Sequence, residues 1–191
     1  KEAYKEMMEA MDEGVGAIVA KVKELGLASQ TVFFFCSDNG PVSPGLTGGL
    51  RGQKGTIWEG GHRVPAIACC PSIIPSGCVT SQTATTLDLF PTFSHLAQAE
   101  VSVELDGVNL WPLMVGGSAL PDRSLFWRFK NQSCIRQGDW KFIDDGQLFN
   151  LADDLAESTD IVNQYPARAE DLKAELSQWN RNVSKGIERQ T

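Results

Sequence analysis

The chain has 191 residues, 42% of them apolar and 21% charged, and a formal net charge of −7. Such a composition can bury a proper core and excludes a disordered chain. The acidic balance excludes an electrostatic nucleic-acid footprint, and no apolar run approaches the ~18 residues of a membrane span.

Residues 2–25 carry Tyr4, Met8, Met11, Val15, Ile18, Val22 and Leu25 at alternating steps of four and three. This is the period of an amphipathic helix, and the stripe is expected to be core. Gly26 follows where a terminating glycine belongs. The chain opens on Lys1 inside this helix, so a segment ahead of it is expected. Thr31–Cys36 reads as a strand buried on both faces, of the kind found in parallel α/β sheets. A polar tip of Ser37, Asp38, Asn39 and Gly40 ends it. In doubly wound folds, ligands bind beyond the carboxyl ends of the strands.

Residues 40–61 hold eight of the eighteen glycines and read as a long loop. Val64–Cys70 is a second apolar strand closed by Pro71, Leu87–Ala97 a short helix, and 106–117 a loop with one helical turn. Beyond Pro121 the segments "SLFWRF", "CIRQGDWKFID" and "QLFNL" read as antiparallel strands, and Pro166 opens a final helix with Leu172, Leu176 and Trp179 on one face. The division falls between residues 1–120, an α/β domain, and 121–191, a small α+β subdomain.

Five cysteines without a CxxC spacing argue against a zinc knuckle or a full disulfide framework. Buried free thiols are the better reading, although Cys78 could enter one bridge in an oxidising compartment. Two histidines, His62 and His95, exclude a His-rich metal site. Asp38 and Asn39 read either as an Asx turn or as hard oxygen ligands suited to Ca²⁺ or Mg²⁺. Lys54 sits among Gly52, Gly55 and Thr56, small residues that let backbone N–H groups and the ammonium approach an anion together. The spacing is not that of a nucleotide P-loop.

"SDNG", "LRGQKGTIWEGGHRVPAIA", "TTLDLFPTFSHLA" and "LDGVNLWPLMVG", closed by "IRQGDWKFI" and "QLFNLADDLAESTDIVNQYP", resemble in order and spacing the C-terminal portion of the formylglycine-dependent arylsulfatases. The resemblance implies an alkaline-phosphatase-like α/β fold with a partial central sheet flanked by helices, then an antiparallel sheet and a terminal helix. It implies a sulfuric ester hydrolase, with a phosphate or phosphonate monoester hydrolase or a non-catalytic interaction module as alternatives. Asp38 and Asn39 become ligands of calcium (magnesium second), and Lys54 a catalytic, sulfate-binding residue. His62 is a lesser candidate for lining the substrate cleft, while Glu59 and Arg63 are expected to hold the loop by a buried ion pair or by backbone bonds. The substrate class is a sulfated small molecule or glycan, in a periplasmic, secreted or lysosomal enzyme. Cys69-Cys70-Pro71-Ser72-Ile73 nearly matches the family's C/S-x-P-x-R nucleophile motif, but Ile73 stands where arginine is required. The formylglycine is thus expected upstream, the chain is expected to be inactive alone, and an exposed sheet edge to favour homo-oligomers.

Overall fold

A computed structural model describes residues 2–185. The elements run α1 (Glu2–Glu24), β1 (Phe33–Cys36), α2 (Glu59–His62), β2 (Ala66–Cys69), α3 (Leu89–Leu96), α4 (Trp111–Met114), β3 (Ser124–Phe129), β4 (Gln132–Gln137), β5 (Trp140–Ile143), β6 (Leu148–Asn150) and α5 (Pro166–Ser184). They form two compact units. One is Lys1–Asp38 with Val64–Pro121, the other Asn39–Arg63 with Asp122–Thr191. The second unit thus takes in residues 39–63, which the sequence reading grouped with the first domain.

In the first unit β1 pairs with β2, antiparallel, with Phe33 opposite Cys69 and Cys36 opposite Ala66. This corrects the parallel reading, and the expected burial on both faces fails as well: no residue of β1 or β2 is buried, and Phe35 and Ile67 are exposed. An apolar run fixes neither the direction of a neighbouring strand nor what covers its faces. A second correction concerns α1. None of its residues is buried, and Met7, Met8, Met11, Val15 and Ile18 are all exposed. Periodicity places side chains on one face; burial needs a surface packed against that face. The element that α1 packs against most is the short 3-10 turn Ala28–Gln30.

The first unit also holds a buried polar cluster. Asp88, fully buried, accepts the Thr85 N–H (2.7 Å) and the Val108 N–H (2.9 Å) on its two carboxylate oxygens. Thr92 donates its hydroxyl to Asp88 O and accepts the Leu110 N–H at 2.8 Å. Asp88 thus completes a capping box with Thr85 on the 3-10 turn Thr86–Asp88 that leads into α3, and both residues tie the 108–110 loop to it.

The second unit is a meander, β3-β4-β5-β6, antiparallel throughout. Successive side chains of a strand point to opposite faces, and the sequence uses both. Ile135, Trp140, Phe142 and Leu148 turn toward α5, where Ala169, Leu172 and Leu176 meet them. Burying Leu172 and Leu176 stabilises the unit by roughly 1.5–3 kcal/mol each. On the opposite face Cys134, Ile143 and Phe149 meet Ile57, with Trp58 and Trp127 at the margin. Packing by Ile57 and Trp58 is what joins the 39–63 loop to this sheet.

Candidate functional site

The loop from Asn39 to Arg63 is folded on itself by its own backbone. Gly40 N–H donates to Gly61 O (2.9 Å), Lys54 N–H to Pro41 O (3.0 Å) and Gly60 N–H to Arg51 O (2.7 Å). Three backbone segments therefore lie in direct contact. A Cβ at Gly40 would collide with the Gly60 carbonyl, and one at Gly60 would stand 2.5 Å from Arg51 O. Glycine is required at both because nothing larger fits between the chains. A tight turn over Gln53–Thr56, closed by Thr56 N–H and hydroxyl on Gln53 O (3.1 and 2.8 Å), carries the exposed Lys54.

Behind this turn lies a lattice of buried charge. Glu59 begins α2 and is 1% exposed; Lys141 of β5 and Glu157 are 0% exposed. The Lys141 ammonium is 3.0 Å from Glu59 Oε1 and 2.7 Å from Glu157 Oε1. Arg136 of β4 and the half-exposed Arg63 approach Glu59 Oε2 at 3.4 and 3.3 Å. The second oxygen of Glu157 accepts the Glu59 N–H at 2.7 Å, and its backbone carbonyl accepts Arg51 Nη1 at 2.9 Å. Arg51 also lies 3.5 Å above the Trp58 ring. Cys134 donates its thiol to Ile57 O at 3.7 Å.

These neighbours set the protonation states. Burial pushes the Glu59 carboxyl up, but the His62 hydrogen bond and the Lys141 charge outweigh it and hold the group well below the usual carboxylate range. Burial holds His62 below its usual value, and Lys141 adds to this against the pull of Glu59. A neutral His62 donates Nε2–H to Glu59 Oε1 (3.1 Å), stacks on Trp127 with ring centroids 4.3 Å apart, and leaves Nδ1 a buried acceptor without a protein partner. Burial pushes the Cys134 thiol up to about 12.

Of the residues singled out in the sequence, Lys54 and His62 belong to this one loop: Lys54 on its exposed turn, His62 half-buried with its ring edge on Glu59. Glu59 and Arg63 do pair, and the Arg63 N–H also donates to Glu59 O at 2.7 Å, but only Glu59 is buried, so the ion pair is not the buried one expected. Asp38, exposed, closes the first unit, and Asn39, half-buried, opens the second. Arg136, Lys141, Glu157 and Arg51 escaped the sequence reading. The signal available for Lys141 was the alternation in "WKFI": if Trp140 and Phe142 face one apolar layer, Lys141 must face inward on the other side.

Asp38 and Asn39 offer hard oxygens suited to calcium or magnesium. Among the described residues no group of three or more His, Cys, Asp or Glu side chains could hold a metal. The pair falls short of the six to eight oxygens calcium takes.

Comparison with known proteins agrees with this architecture. The family model described as Sulfatase matches residues 1–99. Arylsulfatase A of Bos taurus is 42% identical over 143 residues, covering 69% of this chain and 28% of its own length. A solved structure, Ps i-CgsB, superposes with a TM-score of 0.80 at 32% identity over 91% of this chain and 41% of its own, and has also been solved in complex with k-i-k-neocarrahexaose. The phosphonate monoester hydrolase of Agrobacterium radiobacter shares the fold, with a TM-score of 0.70 at 21% identity over 90% of this chain and 39% of its own. The fold is that of the alkaline-phosphatase-like hydrolases, with an antiparallel C-terminal sheet and a terminal helix. Within that class, the chain belongs to the sulfatase family. It spans about a quarter of the length of the curated relatives it matches. No helix among the described residues is long and apolar enough to cross a membrane.

Proposed function

We propose that this chain is part of a sulfuric ester hydrolase, in which Lys54 binds the sulfate group and Asp38 and Asn39 contribute oxygen ligands to a divalent cation, calcium before magnesium. The observation that carries this reading is the pairing of an exposed ammonium with a rigid backing. Lys54 is held on a turn closed by Thr56 and tied to Pro41, in front of a buried charge lattice. With its backbone held there, the Lys54 ammonium is presented where it can stabilise a sulfate oxyanion and the charge that develops during attack on it. Sulfated glycans or small sulfate esters are the substrate class, and a periplasmic, secreted or lysosomal setting goes with it. Formylglycine is the nucleophile of this reading. With Ile73 where the nucleophile motif needs arginine, no residue of this chain takes that part, and the chain alone is inactive.

The test is an active sulfatase containing this chain, assayed on an aryl sulfate ester. Lys54→Ala lowers kcat/KM by about 10²–10³, the range for loss of one preorganised charge-stabilising group. An unchanged kcat/KM would sink the assignment. The 191-residue chain by itself shows no turnover and no tight stoichiometric calcium binding; either would contradict the reading.

A further inference from the structure

The two ends of the Lys54 stretch converge on a single residue. Arg51 reaches the backbone carbonyl of Glu157, and the Glu59 N–H reaches its carboxylate, so Glu157 closes residues 51–59 into a ring with Lys54 inside it. The other carboxylate oxygen of Glu157 is held by the fully buried Lys141, which is itself fixed in β5. Glu157 also adopts a φ of +53°, the left-handed region that residues other than glycine seldom occupy. Strained backbone of this kind persists where the surroundings over-determine it, and it gathers at functional sites.

We propose that Glu157 is a positioning residue for the sulfate-binding turn. Anchored by Lys141, it clasps both ends of the 51–59 stretch and thereby sets where Lys54 stands. This rests on the sulfate-binding role proposed for Lys54. Glu157 touches no substrate and acts through Arg51 and Glu59. Its carboxylate needs to be charged, because Lys141 holds it as an ion pair within a site closed to water.

The experiment uses the full 191-residue chain, inorganic sulfate as the probe, and two-dimensional amide NMR with hydrogen exchange. In the unsubstituted chain, sulfate shifts the amides of residues 53–56 saturably, and Lys54→Ala abolishes the response. Glu157→Gln keeps an acceptor for the Glu59 N–H but removes the charge facing Lys141. It weakens the sulfate response at least fivefold and speeds exchange across residues 52–58, while Ile135, Phe142 and Leu172 keep their protection. Arg51→Met removes the other tether from an exposed position, should the first variant fail to fold, and gives the same loop-limited pattern.

Unchanged exchange in the loop of the folded variant would overturn the proposal. So would an equal loss of protection throughout β3–β6 and α5, the mark of a merely structural role. If sulfate shifts no amide in the unsubstituted chain, the assignment of Lys54 fails, and loop-limited exchange alone then decides whether Glu157 positions the turn.

Discussion

Arg136 and Lys141 stand directly opposite each other in the register of β4 and β5, and the Glu59 carboxylate lies on both. Two cations facing each other across a sheet repel. A carboxylate arriving from a loop 77 and 82 residues away in sequence reverses the sign of that relationship. With Glu157 added, two carboxylates oppose two buried cations, Arg136 and Lys141, and the half-exposed Arg63 adds a third positive charge at the margin. The glycine-rich loop is thus held to the sheet by charge as well as by the packing of Ile57.

The lattice should be costly to break singly. Lys141→Met leaves Glu59 and Glu157 buried with too little compensation and destabilises the chain by about 3–5 kcal/mol. Lys54→Ala, at an exposed position, stays within about 0.5 kcal/mol. Urea unfolding of the two variants beside the parent chain checks the contrast, and similar midpoints would refute it.

Acid should loosen this unit in two stages of the same sign. The folded His62 titrates below its usual 6.5, so its contribution is present above that value and is lost as pH falls beneath it. The folded Glu59 titrates well below its usual 4.5, so its contribution is present above 4.5 and is lost on further acidification. Unfolding midpoints measured from pH 8 to pH 3 should fall in both ranges. His62→Phe should flatten the upper range and also shrink the lower one, because the His62 hydrogen bond helps to hold Glu59 down.

The five cysteines, all free thiols, should separate by burial. Cys69 and Cys78 are exposed and react with a disulfide reagent at pH 8. Cys134, buried and held near 12, reacts only after denaturation. Mass spectrometry of the labelled chain assigns the sites, and native labelling of Cys134 would show that its burial is wrong.

Gly40→Ala tests the close approach of the loop to itself. The added methyl meets the Gly60 carbonyl, which cannot move without disturbing the Gly60 N–H bond to Arg51 O. Overpacking of this kind costs about 1–3 kcal/mol. A thermal midpoint equal to that of the parent chain would mean that the segments are looser than their hydrogen bonds indicate.

Local rules written into the sequence determined much of this protein. The helical period placed α1, apolar runs placed β1 and β2, Pro166 opened α5, and short alternating segments marked the C-terminal sheet. The blocks around "SDNG" and "RGQKGTIWEGG" picked out Asp38, Asn39 and Lys54, and drew attention to Glu59 and Arg63 as residues that hold the loop. Tertiary structure decided what no local pattern carries. It set the antiparallel direction of β2, left the apolar face of α1 exposed, and joined residues 39–63 to the C-terminal sheet. It also brought Arg136, Lys141 and Glu157 onto Glu59, partners 77 to 98 residues apart in sequence. The physical reason is range. Propensity and periodicity act within a few residues of the chain, whereas a buried charge is tolerated only where the whole fold delivers its counter-charge.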